Sequence, residues 1–160
     1  MLIDGGLLKK CIVAGVLILS PDGKSTLLIR HRKLGVWVYP GGHIEKDENP
    51  MECAIREAKE ETGADFDLLS SSGVKIKSRV ASSMPMPLVI MDEDVPYKKA
   101  HHRHFDMIYL GRAKSMRFTA NRESTDCRWF TRAEAMKADT FSNIRKIINY
   151  GFKVYDNLYK

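Results

Sequence analysis

Residues 11–19, CIVAGVLIL, are apolar without interruption and rich in β-branched side chains. That pattern belongs to a central strand, buried within a sheet. The run follows Lys9 and Lys10 and so faintly imitates a secretory signal. It lacks a small-residue cleavage site and leads straight into the turn sequence SPDGKS (20–25), which marks it as a strand of the folded domain. No stretch approaches the roughly 18 consecutive apolar residues of a membrane span, so no membrane partner is expected.

Further elements sort around this strand. TLLIR (26–30) pairs back across the turn, and VWVYP (36–40) is a short strand that stops at Pro40. VKIKSRVAS (74–82) alternates apolar and polar residues, as a half-exposed strand should. PLVIM (87–91) reads as a strand and DEDVPYKKAHH (92–102) as a loop. RHFDMIYLGR (103–112) alternates, with Phe105, Met107 and Tyr109 on one face, and DCRWF (126–130) is a short strand. Thr131 opens a helix with a capping box to Glu134; it runs, with a break near Asp139–Ser142, to about Tyr150. Strands, helix, strands, helix predict an α/β fold: a three-layer α/β/α sandwich around a mixed β-sheet. The 160 residues fit one domain, 1–160, and at 44% hydrophobic it can bury a core without staples.

Cys11, Cys53 and Cys127 are odd in number, scattered and without CxxC spacing. They argue against a disulfide framework and against a zinc site built on cysteine. They argue for a reducing compartment, so the expected location is cytoplasmic. The net charge of +6 admits attraction to anionic substrates or to nucleic acid. No Lys/Arg block exceeds three residues and the basic residues are not interleaved with aromatics, which makes nucleic acid the less favoured partner.

GGHIEKDENPMECAIREAKEETGA (41–64) gathers seven acidic residues against three basic ones. Asn49-Pro50-Met51-Glu52 is a helix start with a cap, a proline at the first position and a capping-box acid. Gly63 supplies the left-handed stop, so a helix is expected over 50–62. Within it Glu57, Glu60 and Glu61 stand at i, i+3 and i+4 on one face, with Cys53, Ala54, Ala58 and Ile55 on the packed side. Arg56 can reach Glu52 and Glu60 at four-residue spacing, but one arginine cannot neutralise the set. A hard divalent cation can: Mg²⁺ takes oxygen ligands and is usually shared with substrate phosphates. The preceding YPGGHIEKDE is a glycine-bearing loop whose backbone could approach phosphates or a metal.

Gly42, Glu48, Arg56, Glu57, Glu60, Glu61 and Gly63 follow the spacing Gx5Ex7REUxEExGU, with U an apolar residue. This resembles the Nudix box; every fixed position matches, and Ala58 and Ala64 are small residues at the U positions. Seven fixed residues give a chance match of about 10⁻⁸ per start position. Looser similarity extends to LLIRHRKLGVWVYPGG upstream and RWFTRAE downstream. The resemblance implies an α/β/α sandwich spanning the chain and a hydrolase that cleaves a nucleoside diphosphate linked to another group, with Mg²⁺ or Mn²⁺. It implies that Glu57, Glu60 and Glu61 bind the metal, with a backbone carbonyl of Gly41 or Gly42 as a further ligand. Arg56 and Glu48 would orient loop and helix through a salt bridge. Water attacks phosphorus, and the metal neutralises charge on the phosphoryl oxygens. The general base is Glu57, Glu61 or an acid before the RWF strand; Glu123 is preferred there over Asp126.

The same resemblance makes Arg30, at the end of the LLIR strand, a candidate phosphate contact. His43 and Arg103 complete the candidate substrate contacts. His101, His102 and His104 invite a metal reading, but no fourth ligand is apparent, so they are read as solvated or substrate-facing imidazoles. Trp37 and Trp129 are read as packing residues, although either could stack on a base. Gly41-Gly42-His43 departs from the Gly-Gly-Lys typical of family members that clear oxidised dGTP. The first expectation is therefore a pyrophosphohydrolase of a small nucleotide. Alternatives are hydrolysis of a capped or triphosphorylated RNA 5′ end and a non-catalytic nucleotide-sensing module. Many members of the family are dimers, so a homodimer is admitted.

Overall fold

The computed structural model describes residues 2–3, 6–7, 9–69, 73–97, 100–120 and 124–159. In chain order the elements are β1 (Leu2–Ile3), β2 (Gly6–Leu7), β3 (Lys9–Leu19), β4 (Ser25–His31), β5 (Trp37–Val38), β6 (Gly41–His43), α1 (Pro50–Thr62), β7 (Phe66–Leu69), β8 (Val89–Tyr97), β9 (Ala100–Ala113), β10 (Ser124–Thr131), α2 (Arg132–Lys137) and α3 (Ser142–Tyr159). No helix among the described residues is long and apolar enough to cross a membrane.

The apolar run forms β3, and the sheet grows from it. One edge pairs in parallel with β9 from Lys9↔His102 to Leu19↔Arg112. The other edge is divided: β4 takes Ile18 and Leu19, and β6 takes Val13, Ala14 and Gly15. β10 extends the sheet beyond β4, while β7 and β8 share the far edge of β9. All pairings but β3–β9 are antiparallel, so the sheet is mixed, as expected.

Alternation along β3 and β9 fills two cores. Leu17, Leu19, Ile108 and Leu110 meet Ile144, Ile148 and Phe152 of α3 on one face. Ala14, Val16, Ile18 and Tyr109 meet Cys53, Ala54 and Ala58 of α1 on the other. Val16, Leu17, Ile18 and Leu19 are all fully buried. Each large aliphatic side chain so placed contributes about 1.5–3 kcal/mol, which requires both helical layers to be present.

The helix over 50–62 forms with both expected ends. The Asn49 side chain accepts from the Glu52 amide at 3.0 Å, and the Glu52 carboxylate accepts from the Asn49 amide at 2.9 Å. Gly63 adopts φ 59°, and its amide donates to the Lys59 carbonyl at 2.8 Å.

Three sequence expectations are corrected. Residues 74–82 form no strand but a turn-like segment with one bridge, Lys77↔Ser82, and Val74, Ile76 and Val80 are exposed. The edge of β9 that could have received it is already paired to β7 and β8. Residues 92–97, expected as loop, extend β8. Its acids and Pro96 are compatible with an outer strand, where donors are not all needed. The last helix continues to Tyr159 rather than Tyr150, because Gly151, Phe152 and Tyr155 still face the core.

Gly63→Ala would force a side chain into the left-handed region, where a Cβ also comes within 3.2 Å of Thr119. The expected loss is about 1–2 kcal/mol of unfolding free energy, read as a lower urea midpoint at unchanged m-value.

Candidate active site

Pairing of β6 to β3 puts the loop glycines beneath α1. The Gly41 amide donates to Glu61 Oε2 at 2.9 Å, and Glu61 is only 7% exposed. Gly42 has no room for a side chain: a Cβ there would lie 2.5 Å from the Glu57 carboxyl group. The Gly42 carbonyl accepts from the Cys53 thiol at 3.5 Å. Burial and the nearby Glu48 push that thiol up to about 12, so it stays protonated and able to donate.

Arg56 ties the loop to the helix. Its Nε donates to Glu48 Oε1 at 2.7 Å and its Nη2 to Glu48 Oε2 at 3.0 Å, a bidentate pair. Its Nη1 reaches Glu57 at 2.8 Å and Glu60 at 3.3 Å, and Nη2 also meets the His43 carbonyl at 3.2 Å. The Arg56 hydrogen bond lowers Glu48 to about 2. Glu57 thus lies against Gly42 and Glu61 against Gly41, while Glu60 is exposed and reaches Arg56. These side chains offer oxygen donors, the kind that hard divalent cations take.

On the α3 side of the sheet, Gly41 and Gly42 also border a cleft of about 690 Å³. Its lining includes Tyr39, His43, Glu93, Asp106 and Phe141. Tyr39 donates its hydroxyl to Asp106 Oδ2 at 2.7 Å, while Asp106 Oδ1 is buried without a partner. Burial raises the Asp106 carboxyl above its ordinary range. Burial and then the neighbouring Asp106 raise that of Glu93, whose side chain accepts from Asn143 at 3.2 Å. Tyr39, Glu93 and Asp106 were not singled out from the sequence. The available signal was phase: Asp106 shares its face of β9 with the buried Ile108 and Leu110.

The remaining candidates disperse. Arg30 is exposed on β4, donates from Nε to the Gly35 carbonyl at 3.1 Å and does not line the cleft. Arg103 sits on the outer part of β9 in a two-pronged pair with Asp92, also outside the cleft lining. His43 does line the cleft. Glu123 lies outside the described residues. Asp126 holds its own strand, accepting from the Cys127 amide at 2.8 Å and from Arg128 at 3.0 Å. Trp37 is buried in the core, edge-on to Phe130 at 4.8 Å, and Trp129 donates to the Met116 carbonyl at 2.9 Å.

A mixed sheet between helices, with glycines of a short strand set against carboxylates of α1, defines the class of the fold as α/β. The NUDIX domain model matches residues 9–150, and the chain belongs to that family. It is similar to mRNA-decapping enzyme subunit 2 of Saccharomyces cerevisiae, 44% identical over 61 residues, which are 38% of this chain and 6% of that protein. It is also similar to a Mycobacterium tuberculosis protein named provisionally as 8-oxo-dGTP diphosphatase 3. That match is 27% identical over 128 residues, covering 76% of this chain and 52% of the relative. The chain therefore spans a small part of the first relative and about half of the second. A NUDIX-family hydrolase from Clostridium perfringens shares the fold with a TM-score of 0.76 at 24% identity, covering 92% of this chain and 99% of that one.

The depressed Glu48 carboxyl makes a pH prediction. Its contribution to stability is full above its ordinary value of 4.5 and is lost as pH falls through about 2. Glu48→Gln is expected to unfold at lower urea than the unsubstituted protein at pH 7. The gap should narrow below pH 4.5 and close near pH 2 when midpoints are measured across that range.

Proposed function

We propose that this chain is a divalent-cation-dependent pyrophosphohydrolase that cleaves the phosphoanhydride of a small nucleoside di- or triphosphate by attack of water on phosphorus. The observation that carries the reading is that Glu57 packs against Gly42 and Glu61 accepts from the Gly41 amide, on two glycines that also border the cleft. Glu57, Glu60, Glu61 and the Gly42 carbonyl would hold Mg²⁺ or Mn²⁺. The absence of a Gly42 side chain is what lets Glu57 approach the strand. When bound, the cation supplies neutralisation of phosphoryl charge and a more acidic water.

The chain's own residues do the rest. Arg56 fixes Glu48 and Glu57 on a single guanidinium, which holds loop and helix in one geometry. The Gly41 amide fixes Glu61. The proton of the attacking water passes to a helix carboxylate, Glu57 or Glu61, a transfer worth about 10²–10⁴-fold in rate. In the cleft, Asp106 and Glu93 bear carboxyl groups biased toward holding protons, and Tyr39 orients Asp106. Such a floor suits the polar edge of a base, with Phe141 on the wall for its face.

A Mg²⁺ or Mn²⁺ panel of nucleotides is the test. One member should release phosphate, pyrophosphate or nucleoside monophosphate, and Glu61→Gln should lose about 10²–10⁴-fold in kcat. No cation-dependent release from any member overturns the activity; equal rates in the variant overturn the site. A second reading, hydrolysis at an RNA 5′ end, is favoured by the +6 charge. Capped and triphosphorylated RNA therefore belong in the panel. Preferred cleavage of RNA, with KM rising steeply with salt, would select it. Asp106→Asn should raise KM more than it lowers kcat on the preferred nucleotide.

A further inference from the structure

On the face of the sheet opposite α1, Cys11, His43, His102 and His104 bring one ligand atom each to within 4.8 Å of one another. The strand registers explain why. Cys11 is the partner of His104 across the parallel β3–β9 pair, and Lys9 is the partner of His102. Val13, two residues along β3 from Cys11, is the partner of His43 on β6. With a period of two, all four side chains emerge on one side. The His43 and His104 rings stand edge to face at 5.0 Å, and those of His102 and His104 are tilted at 4.7 Å.

Two observations separate this group from an ordinary row of surface histidines. His104 is 8% exposed, yet its Nε2 is buried with no hydrogen-bond partner. A buried, unsatisfied imidazole nitrogen is costly unless something occupies its lone pair or proton. Cys11 is a free thiol.

We propose that Cys11, His43, His102 and His104 form a tetrahedral site for a borderline-soft divalent transition metal, Zn²⁺ foremost, that clips β3, β6 and β9 together. One sulfur and three imidazole nitrogens suit Zn²⁺ or Co²⁺ and disfavour Mg²⁺. Tetrahedral Zn²⁺ with its usual bond lengths needs ligand atoms about 3.3–3.8 Å apart. Four protein ligands close the coordination sphere, so the site stabilises rather than reacts. The site is distinct from the carboxylates of α1, and its existence does not depend on the proposed hydrolysis.

The test uses the full chain, freed of metal and kept reduced, titrated with Co²⁺ and with Zn²⁺ in the presence of excess Mg²⁺. One equivalent should bind, with a thiolate-to-cobalt charge-transfer band, and Zn²⁺ should raise the Tm where Mg²⁺ alone does not. Cys11→Ser should abolish the band and weaken binding more than about 100-fold, beyond the loss expected for a merely supporting contact. His43→Gln, at an exposed position, should weaken binding similarly and serves if Cys11→Ser fails to fold. Glu57→Gln/Glu61→Gln should keep the band and the affinity. No binding under excess Mg²⁺, or binding that survives Cys11→Ser or His43→Gln but is lost in Glu57→Gln/Glu61→Gln, overturns the proposal.

Discussion

Three backbone pairings, Val13↔His43, Ala14↔Gly42 and Gly15↔Gly41, decide what each side of this sheet can do. β6 is only these three residues long, and it occupies the part of the β3 edge that β4 leaves open. A slip of one residue would turn every side chain of β6 to the opposite face. Gly42 would then no longer lie under Glu57, and His43 would leave His104. Register is secured from both ends: Arg56 binds the His43 carbonyl, and the Gly41 amide binds Glu61. The helix that carries the carboxylates is thus also the element that locks the strand they face.

The two faces handle buried acid in different ways. Beneath α1, Arg56 touches Glu48, Glu57 and Glu60, and its hydrogen bond holds Glu48 ionised to low pH. One guanidinium leaves that group with residual negative charge, which is what makes a cation favourable there. In the cleft, Asp106 receives a tyrosine hydroxyl and Glu93 an asparagine amide, and burial drives both carboxyl groups toward the protonated form. Carboxylates facing a cation suit phosphate chemistry, and carboxyls inclined to hold protons suit hydrogen bonding to an uncharged group. The proposed substrate has both parts.

Local signals made α1 legible in the sequence with its bounds intact. Asn49, Glu52 and Gly63 specify ends through contacts within a few residues, and the spacing of Glu57, Glu60 and Glu61 needs only the helix. The apolar run at β3 and the mixed sheet were legible for a similar reason: burial on two sides leaves no polar alternation. The segment 74–82 misled because alternation describes a strand's faces and says nothing about whether an edge is free to pair. The grouping of the histidines with a cysteine was hidden for a related reason. A fourth ligand was not apparent because Cys11 meets His104 only through the parallel register of β3 with β9. Asp106 and Tyr39, distant in sequence, meet across the cleft for tertiary reasons that no short window contains.

That parallel register also has a consequence for how cations would sort on the molecule. Carboxylates of Glu57, Glu60 and Glu61 stand on α1, and nitrogen and sulfur donors gather on the opposite face, from His43, His102, His104 and Cys11. Affinity for transition metals generally exceeds that for Mg²⁺ at any mixed site, so a single shared site would be captured by the tighter-binding ion. Separate donor sets would avoid this: the soft set would take the scarce metal and leave the hard set to the abundant one. The backbone of β6 joins the two through adjacent residues, Gly42 and His43. A metal held by His43 would therefore stiffen the strand on which Gly42 receives Glu57. The soft ion would act on the proposed chemistry by fixing backbone position rather than by touching phosphate.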